Sequence, residues 1–188
     1  TGAIDGYAGA TGTLNVNGTW STAGVIGATR AIAAINLDSD NDTASHTYTF
    51  AHNVNATTIT LGTNDAQSSN TTLAISAAIT VTGDIVSSGN ASIAGILDIN
   101  ENTIFVDNIG TSSAAIERIT VITGKTATFK DSIYAGNITL ETAGTASTSA
   151  AFAFNGTANT AYTVTGKIDG QEFGHGSITV NTGNVTFS

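Results

Sequence analysis

From Thr47 to Leu61 the chain reads TYTFAHNVNATTITL, and from Thr126 to Leu140 it reads TATFKDSIYAGNITL. The two blocks align without a gap. In Thr47-Tyr48-Thr49-Phe50 and Thr58-Ile59-Thr60-Leu61, apolar side chains alternate with Thr, and the second block keeps the alternation. A period of two puts one set of side chains on a buried face and the other in solvent, which is the mark of a β-strand. The same alternation recurs at Thr13–Asn17, Ile79–Thr82, Tyr162–Thr165, Ser177–Val180 and Asn184–Phe187, with Gly, Asn and Asp between the runs. Those residues suit turns.

Working outward from the two blocks, a longer repeat emerges. Ile26-Gly27 returns as Ile109-Gly110, 83 residues on, and Leu14 and Val16 return as Leu97 and Ile99 at the same distance. Ile79-Thr80-Val81-Thr82-Gly83-Asp84-Ile85 returns as Tyr162-Thr163-Val164-Thr165-Gly166-Lys167-Ile168. Ala31-Ile32 and Ile35-Asn36-Leu37 match Ala115-Ile116 and Ile119-Thr120-Val121 with one inserted residue, and Ala91-Ser92-Ile93 meets Gly176-Ser177-Ile178. The matched positions are mostly apolar or glycine in both copies. The first copy carries roughly five extra residues at Asp38–His46 and the second roughly four near Gly156–Thr160, so insertions fall in polar stretches, as in stacked repeats. The expected organisation is a partial repeat or cap at 1–24, one repeat at 25–107 and another at 108–188. The only segment with helical potential is Ala28–Ile35, and its copy, Ala114–Val121, ends in a β-branched run, so both are read mainly as strand.

The predicted fold class is therefore all-β, a β-solenoid resembling a parallel β-helix and built from two tandem repeats. Short strands, frequent Gly and Asn turns and few aromatics favour it. The alternative is two β-sandwich domains, one per copy. Trp20 is the only Trp and no Cys is present, so the usual marks of a sandwich are missing.

Composition narrows the function. Charged residues make up only 10% of the 188 and net charge is −9, against about 25% charged in an average soluble domain. The five basic residues, Arg30, Arg118, Lys125, Lys130 and Lys167, are scattered, so no basic patch for nucleic acid or anionic lipid is expected. No run of eighteen apolar residues occurs, so no transmembrane helix is expected. The absence of Cys, with few Lys and many Asn and Thr, points to an extracellular, cell-surface setting. Met is absent even from position 1, which suggests a processed chain or an excised fragment.

Four phrases carry a family likeness: Val25-Ile26-Gly27-Ala28-Thr29, Asn53 to Leu61, Gly124-Lys125-Thr126-Ala127-Thr128-Phe129 and Ala135-Gly136-Asn137-Ile138-Thr139-Leu140. In style they resemble the passenger repeats of rickettsial-type outer-membrane autotransporters. The resemblance implies a secreted β-solenoid coat or adhesin on a Gram-negative surface. No membrane β-barrel sequence follows within these residues.

Candidate chemistry is sparse. Asp38, Asp40 and Asp42 alternate in Asp38-Ser39-Asp40-Asn41-Asp42 and offer oxygen ligands of the kind calcium prefers. The bland alternative is a solvated, Asx-rich loop. His46 and His52 flank a strand about 20 Å apart along an extended chain, too far to share a metal. His175 sits between two glycines. No nucleophile elbow, phosphate loop or zinc motif occurs, so no enzymatic activity is expected. Tyr7 and Trp20 precede the first full repeat and are expected to cap the core or to meet a neighbouring subunit. Because the chain begins and ends on similar strands, identical copies are the expected partners, head to tail in a filament, surface layer or array. The rival reading is an adhesin or phage tail-fibre module that binds a glycan or host receptor.

Overall fold

Alternating Val, Ile, Thr and Phe favour extended backbone, because branched and aromatic side chains pack well on a pleated surface. A computed structural model of the chain, which describes residues 2–38, 44–62, 71–88, 95–141, 149–170 and 176–188, bears this out. In chain order the strands are β1 (Thr13–Val16), β2 (Trp20–Ser21), β3 (Ile32–Leu37), β4 (Thr47–Phe50), β5 (Val54–Leu61), β6 (Thr72–Ile75), β7 (Ile79–Ser87) and β8 (Ile96–Ile99). They continue as β9 (Thr103–Phe105), β10 (Ile116–Val121), β11 (Thr126–Phe129), β12 (Ile133–Leu140), β13 (Ala151–Asn155), β14 (Ala161–Gly170), β15 (Ser177–Thr182) and β16 (Asn184–Phe187). Of the two segments with helical potential, Ala28–Ile35 enters β3 from Ile32 and Ala114–Val121 enters β10 from Ile116.

Every strand pairs in parallel with the strand two places on, giving a β-solenoid of about six turns. A sandwich is excluded, because its neighbouring strands would run antiparallel. Among the described residues the one antiparallel bridge is the tight Thr111–Ala114 turn. Following inward residues from rung to rung resolves three ladders. The first face runs Ile4, Ile26, Val54, Val81, Phe105, Phe129, Phe154 and Val180. The second runs Leu14, Ile35, Ile59, Ile85, Ile109, Ile133, Val164 and Phe187. The third runs Trp20, Tyr48, Leu73, Leu97, Ile119, Ile138 and Ile168. Each coil visits the three faces in that order, and a typical coil is the 24 residues from Ile85 to Ile109 or from Ile109 to Ile133.

Four long strands serve two faces each. In β5 and β7, and in β12 and β14, the register shifts partway along. The burial pattern of β5, read from Val54, breaks its alternation at Thr57, and β12 breaks identically at Gly136. The chain turns a corner there with its backbone still in the ladder.

The 83-residue repeat does not equal a whole number of coils. Ile26 lies on the first face and its match Ile109 on the second; Leu14 lies on the second and its match Leu97 on the third. The second copy is thus the first advanced by three coils and one further face. Glycines confirm the match. Gly27 (φ 69°) and Gly110 (φ 71°) both adopt left-handed backbone, and a Cβ would strike the Asn55 carbonyl in one case and the Tyr134 carbonyl in the other. Only glycine fits there. Gly83 and Gly166 share a positive φ and press on the carbonyls of Ala56 and Ala135.

The core is one continuous stack. No break occurs at 107/108, since Ile85, Ile109 and Ile133 join directly and Phe105 lies in register with Phe129. The two repeats therefore share one solenoid. Phe105 and Phe129 stack with ring centroids 5.2 Å apart, and Phe129 and Phe152 at 4.8 Å.

Candidate assembly and binding surfaces

Each inward side chain of a mid-stack coil is covered above and below by the same position of its neighbours, so Ile35, Ile59 and Ile85 are fully buried. That cover runs out at the C-terminal rung among the described residues. Ile178, Val180 and Phe187 continue the inner positions of Phe152, Phe154 and Val164, yet they are 47%, 43% and 46% exposed. The edges of β15 and β16 offer backbone N–H and C=O groups beside these side chains. Unpaired strand edges of this kind readily template another strand.

At the other end the first rung consists of Ile4, β1 and β2. Ile4 is 40% exposed, while Leu14 and Trp20 pack partly against the core. Trp20 is the first member of the third ladder, in register over Tyr48, and helps line a small cavity of about 110 Å³ with Ile4 and Ile26. Tyr7 lies between the first and second faces with its side chain almost wholly in solvent. Its backbone is anchored: the Arg30 guanidinium donates to its carbonyl, and its own N–H donates to Thr11 Oγ1 at 3.3 Å. The two aromatic residues thus occupy different settings, one in a ladder and one on a projecting segment. Nearby, the Thr29 backbone N–H donates to Asp5 Oδ1 at 2.9 Å, and the Arg30 N–H adds a longer bond of 3.4 Å. The Thr29 amide bond, foremost, holds the Asp5 carboxyl below its ordinary value.

Of the three aspartates of the insertion, Asp40 and Asp42 lie outside the described residues. Asp38 follows β3 in left-handed backbone (φ 61°) and is buried. Its Oδ2 accepts a 2.6 Å hydrogen bond from the fully buried Thr71 hydroxyl. No group of three or more metal-ligating side chains gathers among the described residues. His46 packs edgewise on Tyr48, centroids 6.3 Å apart. His52 follows β4 and is half-buried, and His175 lies outside the described residues.

Neither a family model, nor a curated protein, nor a solved structure matches this chain. Functional argument therefore rests on the surfaces themselves. No helix among the described residues is long and apolar enough to cross a membrane. Two of the five basic side chains are spent on ion pairs, Lys125 with Glu101 at 2.7 Å and Lys167 with Asp169 at 2.6 Å.

What the sequence concealed is how the polar outer positions combine. Asp98, Arg118 and Glu141 look dispersed, yet β8, β10 and β12 are adjacent strands of the third face. Counting by the coil rather than along the chain would have brought them together.

Proposed function

We propose that this protein is a non-enzymatic structural segment of an extracellular microbial surface assembly, such as a filament, surface layer or autotransporter passenger, joined through its strand edges. One observation carries the reading: the described residues form a single unbroken stack of three parallel apolar ladders, a framework that extends by adding coils of the same kind. Ladder order then dictates how a second copy docks. Ile4 falls on Val180, Leu14 on Phe187 and Trp20 on Ile168. Each contact continues a ladder that already exists within one chain, so the screw of the solenoid runs on. Backbone hydrogen bonds supply affinity, and the apolar ladder fixes register.

The extracellular setting draws on composition: low charge, no Cys and a surface of hydroxyls and amides. The test is association state. Light scattering on fractionated protein and negative-stain imaging are expected to show rods that lengthen with concentration. Val180→Lys together with Phe187→Lys is expected to abolish them by placing charges on the edge while the internal coils stay intact. A wild-type chain that stays monomeric at high concentration would overturn the reading.

A further inference from the structure

On the third face, the outward positions of three successive strands form a grid. The first row is Asp98 and Asn100, preceded by the buried Ile96, the second Arg118, Thr120 and Ile122, and the third Asn137, Thr139 and Glu141. The register sets Asp98 beside Thr120 and Thr120 beside Thr139, with Arg118 between Ile96 and Asn137. Strands about 4.8 Å apart and alternate residues about 6.7 Å apart make this an area of roughly 10 by 13 Å. All but Ile96 line a single open trough of about 510 Å³. Its shape follows from side-chain length. Short Thr120 and Thr139 form the floor, and Arg118, Asp98 and Glu141 stand around it.

Two observations describe how this grid is paired. None of Asp98, Asn100, Arg118, Asn137 and Glu141 makes a side-chain hydrogen bond or ion pair among the described residues, although other polar side chains of the solenoid clamp neighbouring coils. Asn53 Oδ1 accepts from the Thr80 N–H and Asn102 Oδ1 from the Thr126 N–H, both at 2.9 Å. Moreover, the amide oxygen of Asn137 is buried without a donor. A buried acceptor without a donor is costly.

The matched positions about 80 residues earlier supply an internal control. Their grid lies on the second face, where Asn15 and Asn36 bond to each other at 2.8 Å and Asp38 is taken by Thr71. That grid is chemically closed, and the one on the third face is open.

We infer that the third-face grid binds a sugar chain of uncharged or amine-bearing residues, seating roughly two pyranose rings. Carboxylates and amides accept from sugar hydroxyls, Arg118 and the asparagine amides donate to them, and Ile122 offers an apolar contact to a C–H face. Two carboxylates against one guanidinium, within a net charge of −9, repel polyanions. This goes beyond the assembly role and does not depend on it.

The test is calorimetry with maltotriose, lactose, N,N′-diacetylchitobiose and the chitosan dimer, with a heparin disaccharide as the anionic arm. At least one of the first four is expected to bind. Asp98→Ala and Glu141→Ala are each expected to weaken it tenfold or more, and Asn36→Ala, in the closed grid, to leave it unchanged. Asp98→Asn separates the two sugar classes: it retains an uncharged sugar and loses an amine-bearing one. Circular dichroism matching the wild type shows that each variant is folded. Binding of the heparin fragment alone, binding of none of the probes, or equal losses from Asn36→Ala and Asp98→Ala would each overturn the inference.

Discussion

The two copies of the repeat agree on the inside and differ on the outside. β5 and β12 share one burial pattern residue for residue, and Gly27 and Gly110 share one backbone conformation and one carbonyl neighbour type. Outside, the matched positions differ: Asn15 and Asn36 on the second face satisfy each other, while their counterparts on the third face lie in a grid that presents Asp98, Arg118 and Glu141. The interior is constrained because each inward side chain must fit the rung above and the rung below. The outer positions carry no such constraint once the strand is formed, so they are free to diverge toward binding.

The largest effect that tests the equivalence is at the paired glycines. Gly27→Ala and Gly110→Ala each force a left-handed alanine against a backbone carbonyl that cannot move without opening a ladder. Each is expected to cost about 3 kcal/mol or more, and the two costs should agree within about 1 kcal/mol. Gly18→Ala is the control. It has a similar φ of 69° but nothing within reach of its Cβ, so only the conformational cost of about 1 kcal/mol is expected. Urea unfolding followed by far-ultraviolet circular dichroism measures all three. A large gap between Gly27 and Gly110 would break the claim that the copies fold alike.

The next effect sharpens a difference within the shared interior. Phe50 and Phe129 occupy matching positions, both buried. Phe50 has Ile75 as its ladder neighbour on β6, whereas Phe129 sits in an aromatic stack with Phe105 and Phe152. Truncation to alanine is expected to cost about 3–5 kcal/mol at either site. Phe129→Ala should exceed Phe50→Ala by about 1 kcal/mol, the value of ring–ring geometry beyond simple burial. Equal losses in the same unfolding experiment would show that the stack adds nothing to the aliphatic ladder.

Smaller still is the effect at the insertion. Asp38→Ala strands the buried Thr71 hydroxyl and puts alanine in left-handed backbone, a loss of about 2–3 kcal/mol. Asp38→Asn keeps an acceptor and tolerates that conformation, so about 1 kcal/mol or less is expected. The second copy has half-buried Ile122 at this position and needs no such bond.

Much of this was legible in the sequence. Alternation at Thr47–Phe50 and Thr58–Leu61 located the strands, and the Ile26-Gly27 and Ile109-Gly110 match located the copies. The coil was not read, because the stronger self-similarity spans ten faces and masks the weaker one of about 24 residues. The weaker signal was present in Ile85, Ile109 and Ile133, which differ from one another in their flanking residues. The corners were hidden for another reason. Ala56-Thr57 and Ala135-Gly136 interrupt the alternation by a single residue, which reads as noise until the register shift in the ladder is seen. The open grid was invisible because its members sit about a coil apart in sequence. Nor does spacing alone show that Thr71, 33 residues away, reaches the Asp38 carboxylate.

The smallest expected effect concerns Asp5, which clamps the first coil to the second through the Thr29 and Arg30 N–H groups. Hydrogen bonds to the ionised form lower its carboxyl from the ordinary 3.8. A carboxyl whose folded value lies below its unfolded one contributes stability above the unfolded value and loses it as pH falls through the folded one. The wild type should therefore lead Asp5→Ala in thermal stability by a constant small margin from neutral pH down to about 4, and the margin should shrink below that. Asn53, which clamps Thr80 across neighbouring coils with an uncharged amide, supplies the contrast: Asn53→Ala should lower stability equally at all these pH values. If both margins fade together on acidification, the loss belongs to the whole stack and the charge on Asp5 contributes nothing of its own.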